Sequence, residues 1–265
     1  KTKFLEMQAS DFLQRHKDEP FMLYLNFLEP HTPHNGPFND MYKPDDLDLS
    51  SNVECALTEN DPLRYRKKAE IDKKKNKDGW KTLNAKYAAL CSQVDIAVGG
   101  ILGKLESLGL KENTIIVYTS DHGEMMGSHG LYNKTVMYKE AVKVPWLISY
   151  PKLTRKQILV EQNVSHIDLV PTLLDIIESK KPEGLTGKSL LPLVKGKVKD
   201  NGDVFIEWNP VASENDEDEP KNTKNSEDYN KSSIRTIVTQ DGWKLSLSDY
   251  DKSQLFNLND DPGEC

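Results

Sequence analysis

Cysteine is scarce in this chain. The three present, Cys55, Cys91 and Cys265, are odd in number and widely spaced, which reads as neither a disulfide framework nor a zinc knuckle. Long apolar runs are missing, and no stretch reaches the length a bilayer-crossing helix needs. Basic residues do not dominate: 35 Lys and Arg stand against 42 Asp and Glu, a formal net charge of −7. That balance argues against a nucleic-acid binder, which would carry a basic face. It does not argue against an anionic substrate, because a metal and a lysine inside a site outweigh distant surface carboxylates. No internal repeat is evident. No secretory leader is visible either, but the first residue is Lys1 and not Met, so that absence carries no weight. With 265 residues, 37% hydrophobic and 29% charged, the chain is long enough for a sizeable core and one or two domains.

What is there is concentrated in YTSDHGEMMGSHGLYNK, Tyr118 to Lys134. It follows a β-branched apolar run, Thr114 to Val117, that reads as a buried strand. Asp121 and His122 fall where that strand ends, and strand ends are where α/β sheets build sites. An acid and an imidazole there suit one divalent metal. Lys134 adds a cation a short loop away, and Gly123, Gly127 and Gly130 make the turn between them. The set suits an anionic, oxygen-rich substrate. Read singly, each residue has a plainer role: Asp121 as a turn cap, His122 as a buried hydrogen-bonded histidine, Lys134 as a surface lysine.

A second segment repeats the pattern. FMLYLNFLEPHTPHNGP, Phe21 to Pro37, is an apolar run ending in Glu29, His31 and His34, with Pro30, Pro33 and Pro37 stiffening the exit. If both strands lie in one parallel sheet, the two histidine-bearing loops share an edge.

PHTPH, then TSDHGEMMGSHGLYNK, Tyr138, Glu140 and VPWLISYP, resemble the sulfatases of the alkaline phosphatase superfamily. The resemblance continues through SHIDLVPTLLDII, LTGKSLLPLV, IRTIVTQDGWKL and QLFNLNDDPGE, in the family's order and over most of the chain. It implies an α/β fold with a mixed, largely parallel sheet flanked by helices, and a small C-terminal antiparallel α+β subdomain. It implies that Asp121 and His122 are metal ligands; many sulfatases have asparagine at the second position, and histidine occurs in a branch with iduronate- and choline-sulfatase-like enzymes. Lys134 matches the sulfate-contacting lysine, and His31 matches the histidine near the leaving oxygen. His34 is a candidate for the substrate pocket. His129 either contacts substrate or ties down the loop, with the loop role preferred. The implied cofactor is a divalent metal, calcium by family habit. The family's C-x-P-x-R or S-x-P-x-R motif, whose first residue becomes the formylglycine nucleophile, is absent. Cys55 and Cys91 lack the pattern, and Ser149, before Tyr150 and Pro151, lacks the arginine. The expectation is a fragment lacking the N-terminal nucleophile region.

Along the chain, residues 2–17 read as a surface helix, 21–28 as a strand, and 36–83 as irregular, with a lysine-rich run from Arg66 to Lys81 taken as solvated helix or loop. Residues 84–108 place Tyr87, Leu90, Val94, Val98, Ile101 and Leu105 on one helical face. A strand over 114–119, a short helix over 138–142, a strand over 144–149 and a helix over 167–177 follow. This alternation predicts a parallel or mixed sheet with helices. Strands are expected over 203–208, 234–238 and 243–247, the last two joined by a Gln-Asp-Gly turn. Residues 1–180 are assigned to the catalytic α/β domain and 181–265 to the smaller subdomain, with an acidic insertion at 213–231.

The expected activity is hydrolysis of a sulfate ester, a small molecule or a carbohydrate sulfate, with no nucleic-acid partner and no membrane span, in an exported protein. The rivals are a phosphonate monoester hydrolase or phosphodiesterase of the same superfamily, and a degenerate relative that binds sulfated glycans without cleaving them. The sequence is silent on oligomeric state.

Overall fold

The computed structural model describes residues 1–72, 76–199, 201–210 and 232–265. Its helices are α1 (Thr2–Arg15), α2 (Leu63–Asp72), α3 (Lys77–Ser107), α4 (Lys139–Val142), α5 (Leu169–Ile176) and α6 (Leu191–Val194). Its strands are β1 (Ile116–Thr119), β2 (Trp146–Ser149), β3 (Val204–Trp208), β4 (Ile234–Val238), β5 (Trp243–Ser248) and β6 (Gln254–Asn257). They fall into two compact units. The first holds Lys1–Ser50, Lys73–Asp121 and Val144–Arg155; the second holds Ser51–Asp72, His122–Lys143 and Lys156–Cys265. The expected acidic insertion at 213–231 lies outside the described residues.

In the first unit α1 lies on α3. Ala9 and Leu13 of α1 are buried, as are Trp80, Ala85, Ala89, Leu90, Val94 and Ala97 of α3, the three-and-four spacing that buries one face. The Thr2 hydroxyl and the Gln93 amide meet at 2.6 Å across this contact. At Gly100 a Cβ would lie 2.6 Å from Glu6 Oε1, the movable end of a side chain on α1. α3 begins earlier than its amphipathic pattern suggests, because the Asn76 side chain accepts the Gly79 N–H at 2.9 Å and caps it. Contrary to the expectation of no bilayer-length segment, α3 is long and apolar enough to cross one. It also carries Asp95 and Lys104 and buries one face on α1, as a core helix does.

β1 and β2 pair antiparallel, Ile116 opposite Ser149 and Thr119 opposite Trp146. The strand expected over 21–28 is not formed. The segment alternates in exposure as a strand does, Met22 at 90% and Tyr24 at 80%, but it has no ladder among the described residues. Apolar alternation selects an extended chain; a strand also needs a neighbour to exchange hydrogen bonds with. Every ladder among the described residues is antiparallel, since alternating helices and strands in sequence do not dictate which strands become neighbours.

The second unit is built on an antiparallel meander, β3-β4-β5-β6. The hairpin foreseen between 234 and 247 is its centre, and β6 adds an edge that sequence periodicity did not mark. The core gathers Tyr65 and Ala69 from α2, Met125, Leu131, Val136, Met137 and Tyr138 from the segment after β1, Ala141 from α4 and Ile234 from β4. Of the two readings of the lysine-rich run, helix or loop, most of it is helical, and it is not wholly solvated: α2 has a buried face of Tyr65, Ala69 and Asp72. α5 is preceded by a capping box in which Ser165 and Asp168 exchange hydrogen bonds.

Two links tie residues near the end of the chain into this unit. Lys244 Nζ lies 2.8 and 2.9 Å from the two carboxylate oxygens of Glu264, with both side chains almost fully buried, and it also donates to the Met137 carbonyl. Cys55 and Cys265 form a disulfide across 210 residues. This corrects the reading of unconnected cysteines: wide spacing in sequence says nothing against proximity in space.

Candidate active site

Asp121 stands exposed just past β1, with its Oδ1 3.4 Å from the Ser120 hydroxyl. His122 is half-buried, and its Nδ1 lies 2.8 Å from the Gly123 carbonyl. A carbonyl only accepts, so Nδ1 carries the proton and the neutral ring has its lone pair on Nε2. This is how a ligating histidine is usually oriented, by a hydrogen bond from its other nitrogen. A hard carboxylate oxygen and a neutral imidazole nitrogen fit a divalent metal.

The segment that follows is held from both sides. Gly123 N–H donates to the Ala141 carbonyl at 2.8 Å and Glu124 N–H to the Glu140 carbonyl at 2.9 Å. A Cβ on Gly123 would sit 1.9 Å from the Glu140 oxygen, so only glycine passes here. Met125 N–H then reaches the Asn133 carbonyl and Gly127 N–H the Leu131 carbonyl, at 2.9 and 2.8 Å. Within this turn Met126, His129, Asn133 and Thr135 all have positive φ, at 44, 54, 63 and 75°. Such backbone persists only where its surroundings over-determine it. Here the buried Met125, Leu131, Val136 and Met137 anchor it.

Lys134 emerges from this turn, half-buried. The Glu124 carboxyl nearby is pushed up by burial and drawn down by the backbone N–H groups of Asn133 and Met126 and by the ammonium groups of Lys134 and Lys68. His129, only 3% exposed, is stacked on Tyr138 with ring centroids 3.9 Å apart. Asn52 Nδ2 lies 3.2 Å from its Nε2, and its backbone N–H donates to the Asn52 carbonyl at 3.0 Å. Burial lowers its pKa, opposed first by Glu140. These contacts are those of a residue that ties down the loop. Its ring nitrogen also lies within 4.8 Å of the Cys55 and Cys265 sulfurs, but those sulfurs are bonded to each other and offer no thiolate.

In the first unit His31 is exposed and its Nδ1 is 2.8 Å from the Thr32 carbonyl, which again puts the proton on Nδ1 of the neutral ring. Cis peptide bonds precede Pro30 and Pro33 on either side of it. His34 is buried, edge-on to Tyr87 with centroids 5.5 Å apart, and burial lowers its pKa. The six candidates thus divide: His31, His34 and Asp121 belong to the first unit, and His122, His129 and Lys134 to the second.

The sulfatase family pattern matches residues 2–179. The chain belongs to the sulfatase family. Residues 127–265 also match the C-terminal region described for N-sulphoglucosamine sulphohydrolase. The chain is 32% identical over 262 residues to the uncharacterized sulfatase YidJ of Escherichia coli K12, covering 97% of this chain and 49% of that protein. It is 30% identical over 269 residues to an arylsulfatase of Clostridium perfringens, covering 99% and 52%. Among solved structures, a phosphonate monoester hydrolase from Silicibacter pomeroyi superposes with a TM-score of 0.79 at 23% identity, covering 97% of this chain and 54% of that one. A protein solved with its substrate D-glucosamine-2-N,6-O-disulfate gives 0.70 at 23%, covering 99% and 64%. These likenesses show the fold, the α/β architecture of the alkaline phosphatase superfamily with its small C-terminal antiparallel sheet. The chain spans about half the length of the curated relatives it matches.

Sequence reasoning passed over Glu124, Lys68 and Asn52. Glu124 lies inside the motif, overshadowed there by Asp121, His122 and Lys134. Lys68 was masked by the lysines around it, although Tyr65, Lys68 and Asp72 fall at the spacing of one helical face. Asn52 carried no signal.

Proposed function

We propose that the protein of which this chain is part hydrolyses a sulfate ester of a carbohydrate, releasing inorganic sulfate. The observation that carries the reading is the loop from His122 to Lys134: a metal-suited imidazole, a rigid turn with buried anchors, and a half-buried ammonium at its end. Lys134 would bind a non-bridging sulfate oxygen and steady the negative charge that builds on the leaving oxygen. His31 would hydrogen-bond to that oxygen or give it a proton from Nε2 when the ring is charged, while Thr32 fixes the ring through Nδ1. His34 would shape the substrate pocket, and His129 would keep the Lys134 loop in place. Asp121 and His122 would hold a divalent cation, calcium by family habit, which when bound polarises a sulfate oxygen. The nucleophile, a formylglycine by resemblance, belongs to a part of the protein outside this chain.

A carbohydrate substrate is supported by relatives: an ulvan-active sulfatase of Formosa agariphila and an N-acetylglucosamine-6-O-sulfatase of Bacteroides thetaiotaomicron are 34% and 32% identical over their matched regions. A second reading, phosphonate or phosphate ester hydrolysis, stays within the superfamily named for a 28% identical relative from Trinickia caryophylli, a multifunctional alkaline phosphatase superfamily protein. Export is part of the proposal, and the Cys55–Cys265 disulfide suits an oxidising compartment. Residues 1–180 are assigned to the catalytic domain and 181–265 to the subdomain beside it.

The test is sulfate release by the full-length protein from sulfated glucosamine derivatives, alongside phosphonate monoesters. Carbohydrate sulfates should be turned over, and Lys134→Ala should lower that turnover about 100-fold or more, the scale of losing one charge-stabilising donor. Faster turnover of phosphonates than of any sulfate ester would overturn the assignment.

A further inference from the structure

A cavity of about 290 Å³ opens in the first unit, between the loop that leaves His34 and the first turns of α3. Ligand sites run to about 300–1,000 Å³, so this one is the size of a single ring and not of a chain. Its walls are held by both elements. Asn39 Oδ1 accepts the Gly36 N–H at 2.7 Å, which leaves the Asn39 amide N–H groups to the cavity. The Tyr42 hydroxyl meets the Ser92 hydroxyl of α3 at 2.7 Å and fixes its ring in the wall, with Pro44 beside it. Thr82 donates its hydroxyl to the Asp78 carbonyl at 2.8 Å, so toward the cavity it accepts. The charged groups of the lining are Asp40, Lys43 and Lys86, one negative and two positive. Lys81, close by on α3, is taken by Asp45 at 3.1 Å, whereas neither Lys43 nor Lys86 has an ion-pair partner among the described residues. The same two elements carry His34, whose ring is edge-on to Tyr87, the residue after Lys86, with centroids 5.5 Å apart.

We propose that this cavity is a subsite for a sugar ring that bears an anionic group and is joined to the ring whose sulfate is removed. Two ammonium groups supply point charges for a carboxylate or a sulfate. Asp40 and Thr82 accept from ring hydroxyls, the Asn39 amide donates to them, and Tyr42 and Pro44 give the ring an apolar face. A neutral sugar leaves the excess positive charge unanswered. A bare inorganic anion is repelled by Asp40 and has no use for the apolar wall. A ring with hydroxyls and one anionic group answers every part of the lining. Its place follows from continuity: the loop that makes one wall also carries His31 and His34, which the proposed function gives to the leaving oxygen and the substrate pocket. The inference rests on that function and adds a preference to it, for a sulfated ring with an acidic neighbour.

The test uses the full-length protein and three disaccharides of one sulfated glucosamine. Its neighbour is a uronic acid, a sulfated neutral sugar, or the same uronic acid with its carboxyl reduced to the alcohol. The parent should favour both acidic forms over the reduced one by about 10-fold in kcat/KM, the scale of a hydrogen bond to a charged group, and mostly through KM. Lys43→Ala or Lys86→Ala should cut that ratio to about 3-fold or less, and the double variant should abolish it. Arginine at either position should keep most of it. Each ratio is taken within one protein, so a partly unfolded variant cannot mimic the loss. A parent that treats the three alike, or alanine variants that keep the ratio of the parent, overturns the subsite and leaves the hydrolysis standing. Calorimetry with the desulfated uronate disaccharide, which cannot be cleaved, reads the cavity by itself: the double variant should raise Kd about 10-fold. No binding by the parent, or binding that the double variant leaves unchanged, overturns the subsite. Lysine-dependent binding by a parent that releases no sulfate overturns the hydrolysis and leaves the subsite standing.

Discussion

Glu264→Gln should be among the most destabilising single changes in the second unit. In the native protein the carboxylate receives Lys244 at 2.8 and 2.9 Å and the Lys139 N–H at 3.2 Å. Burial pushes the Lys244 ammonium down and the Glu264 carboxyl up, and each is held ionised by the other. Exchange for glutamine preserves shape and removes the charge, so the ammonium is left buried with the Met137 carbonyl. Breaking a buried pair by removing one partner costs about 3–5 kcal/mol. Set against a total stability of about 5–15 kcal/mol, that is a large share. For a chain of this size each kcal/mol moves Tm by roughly 2–4 °C, so the loss should be roughly 6–20 °C. Because the pair is buried, the loss should persist in 1 M salt, which screens surface pairs. Lys244→Met alone should cost a comparable amount, by stranding the carboxylate. The Lys244→Met/Glu264→Gln double variant should recover much of it, with a coupling energy of about 2 kcal/mol or more. Urea unfolding of the four proteins measures this. Single variants that lose less than about 1 kcal/mol, the range of exposed pairs, or a double variant that loses the sum, would refute the reasoning.

Gly123→Ala should cost about 1–3 kcal/mol or more through overpacking, since its Cβ would be 1.9 Å from the Glu140 carbonyl oxygen; thermal unfolding should show it, and an unchanged Tm would mean that the backbone pairing there gives way freely. Cys55→Ser, or reduction with a dithiol, should destabilise by about 2–5 kcal/mol, because the disulfide closes a separation of 210 residues; chemical unfolding with and without reductant measures it. The depressed pKa of His129 sets the sign of an acid effect. The unfolded chain binds the proton more readily, so this stability is complete above pH 6.5 and is lost as pH falls from there toward the folded value. His129→Gln should flatten part of the Tm decline between pH 7 and pH 5, and an unaltered slope would remove His129 as its source.

The motif between Tyr118 and Lys134 was legible because its residues are contiguous: Asp121, His122 and Lys134 stand in order on one strand-and-loop segment. α1, α3 and the β4–β5 hairpin were legible for a related reason, since each is specified by a local period or a local turn. What could not be read was whatever depends on a partner remote in sequence. The chain from 21 to 28 has the alternation of a strand and lacks a ladder among the described residues. Cys55 and Cys265 looked unrelated, and Lys244 and Glu264 gave no hint of each other. α2 was legible only as solvated helix or loop, because four of its ten residues are Lys or Arg, while the residues that decide its placement, Tyr65, Ala69 and Asp72, are a minority on one face.

The placement of α2 also bears on how the loop can exist at all. Four residues other than glycine between 126 and 135 hold positive φ, and strain of that kind costs of order 1–3 kcal/mol each. Five backbone hydrogen bonds close the loop on itself, among them Met125 N–H to the Asn133 carbonyl and Gly127 N–H to the Leu131 carbonyl, and further support comes from outside it. It comes from α2, through Tyr65 and Asp72, from Asn52, and from the stacking of His129 on Tyr138. On the proposed function, the loop that carries Lys134 has to resist collapse onto its own carboxylates. Distributing its supports over a separate helix achieves that without adding any further charge within the loop itself. On this argument, loosening α2 far from Lys134, for example by Ala69→Gly, should free the backbone of residues 126–135 to exchange amide hydrogens faster before it changes exchange in β4 or β5. Equal acceleration in all three would mean that the strained turn and the sheet open as one unit, and that α2 braces neither in particular.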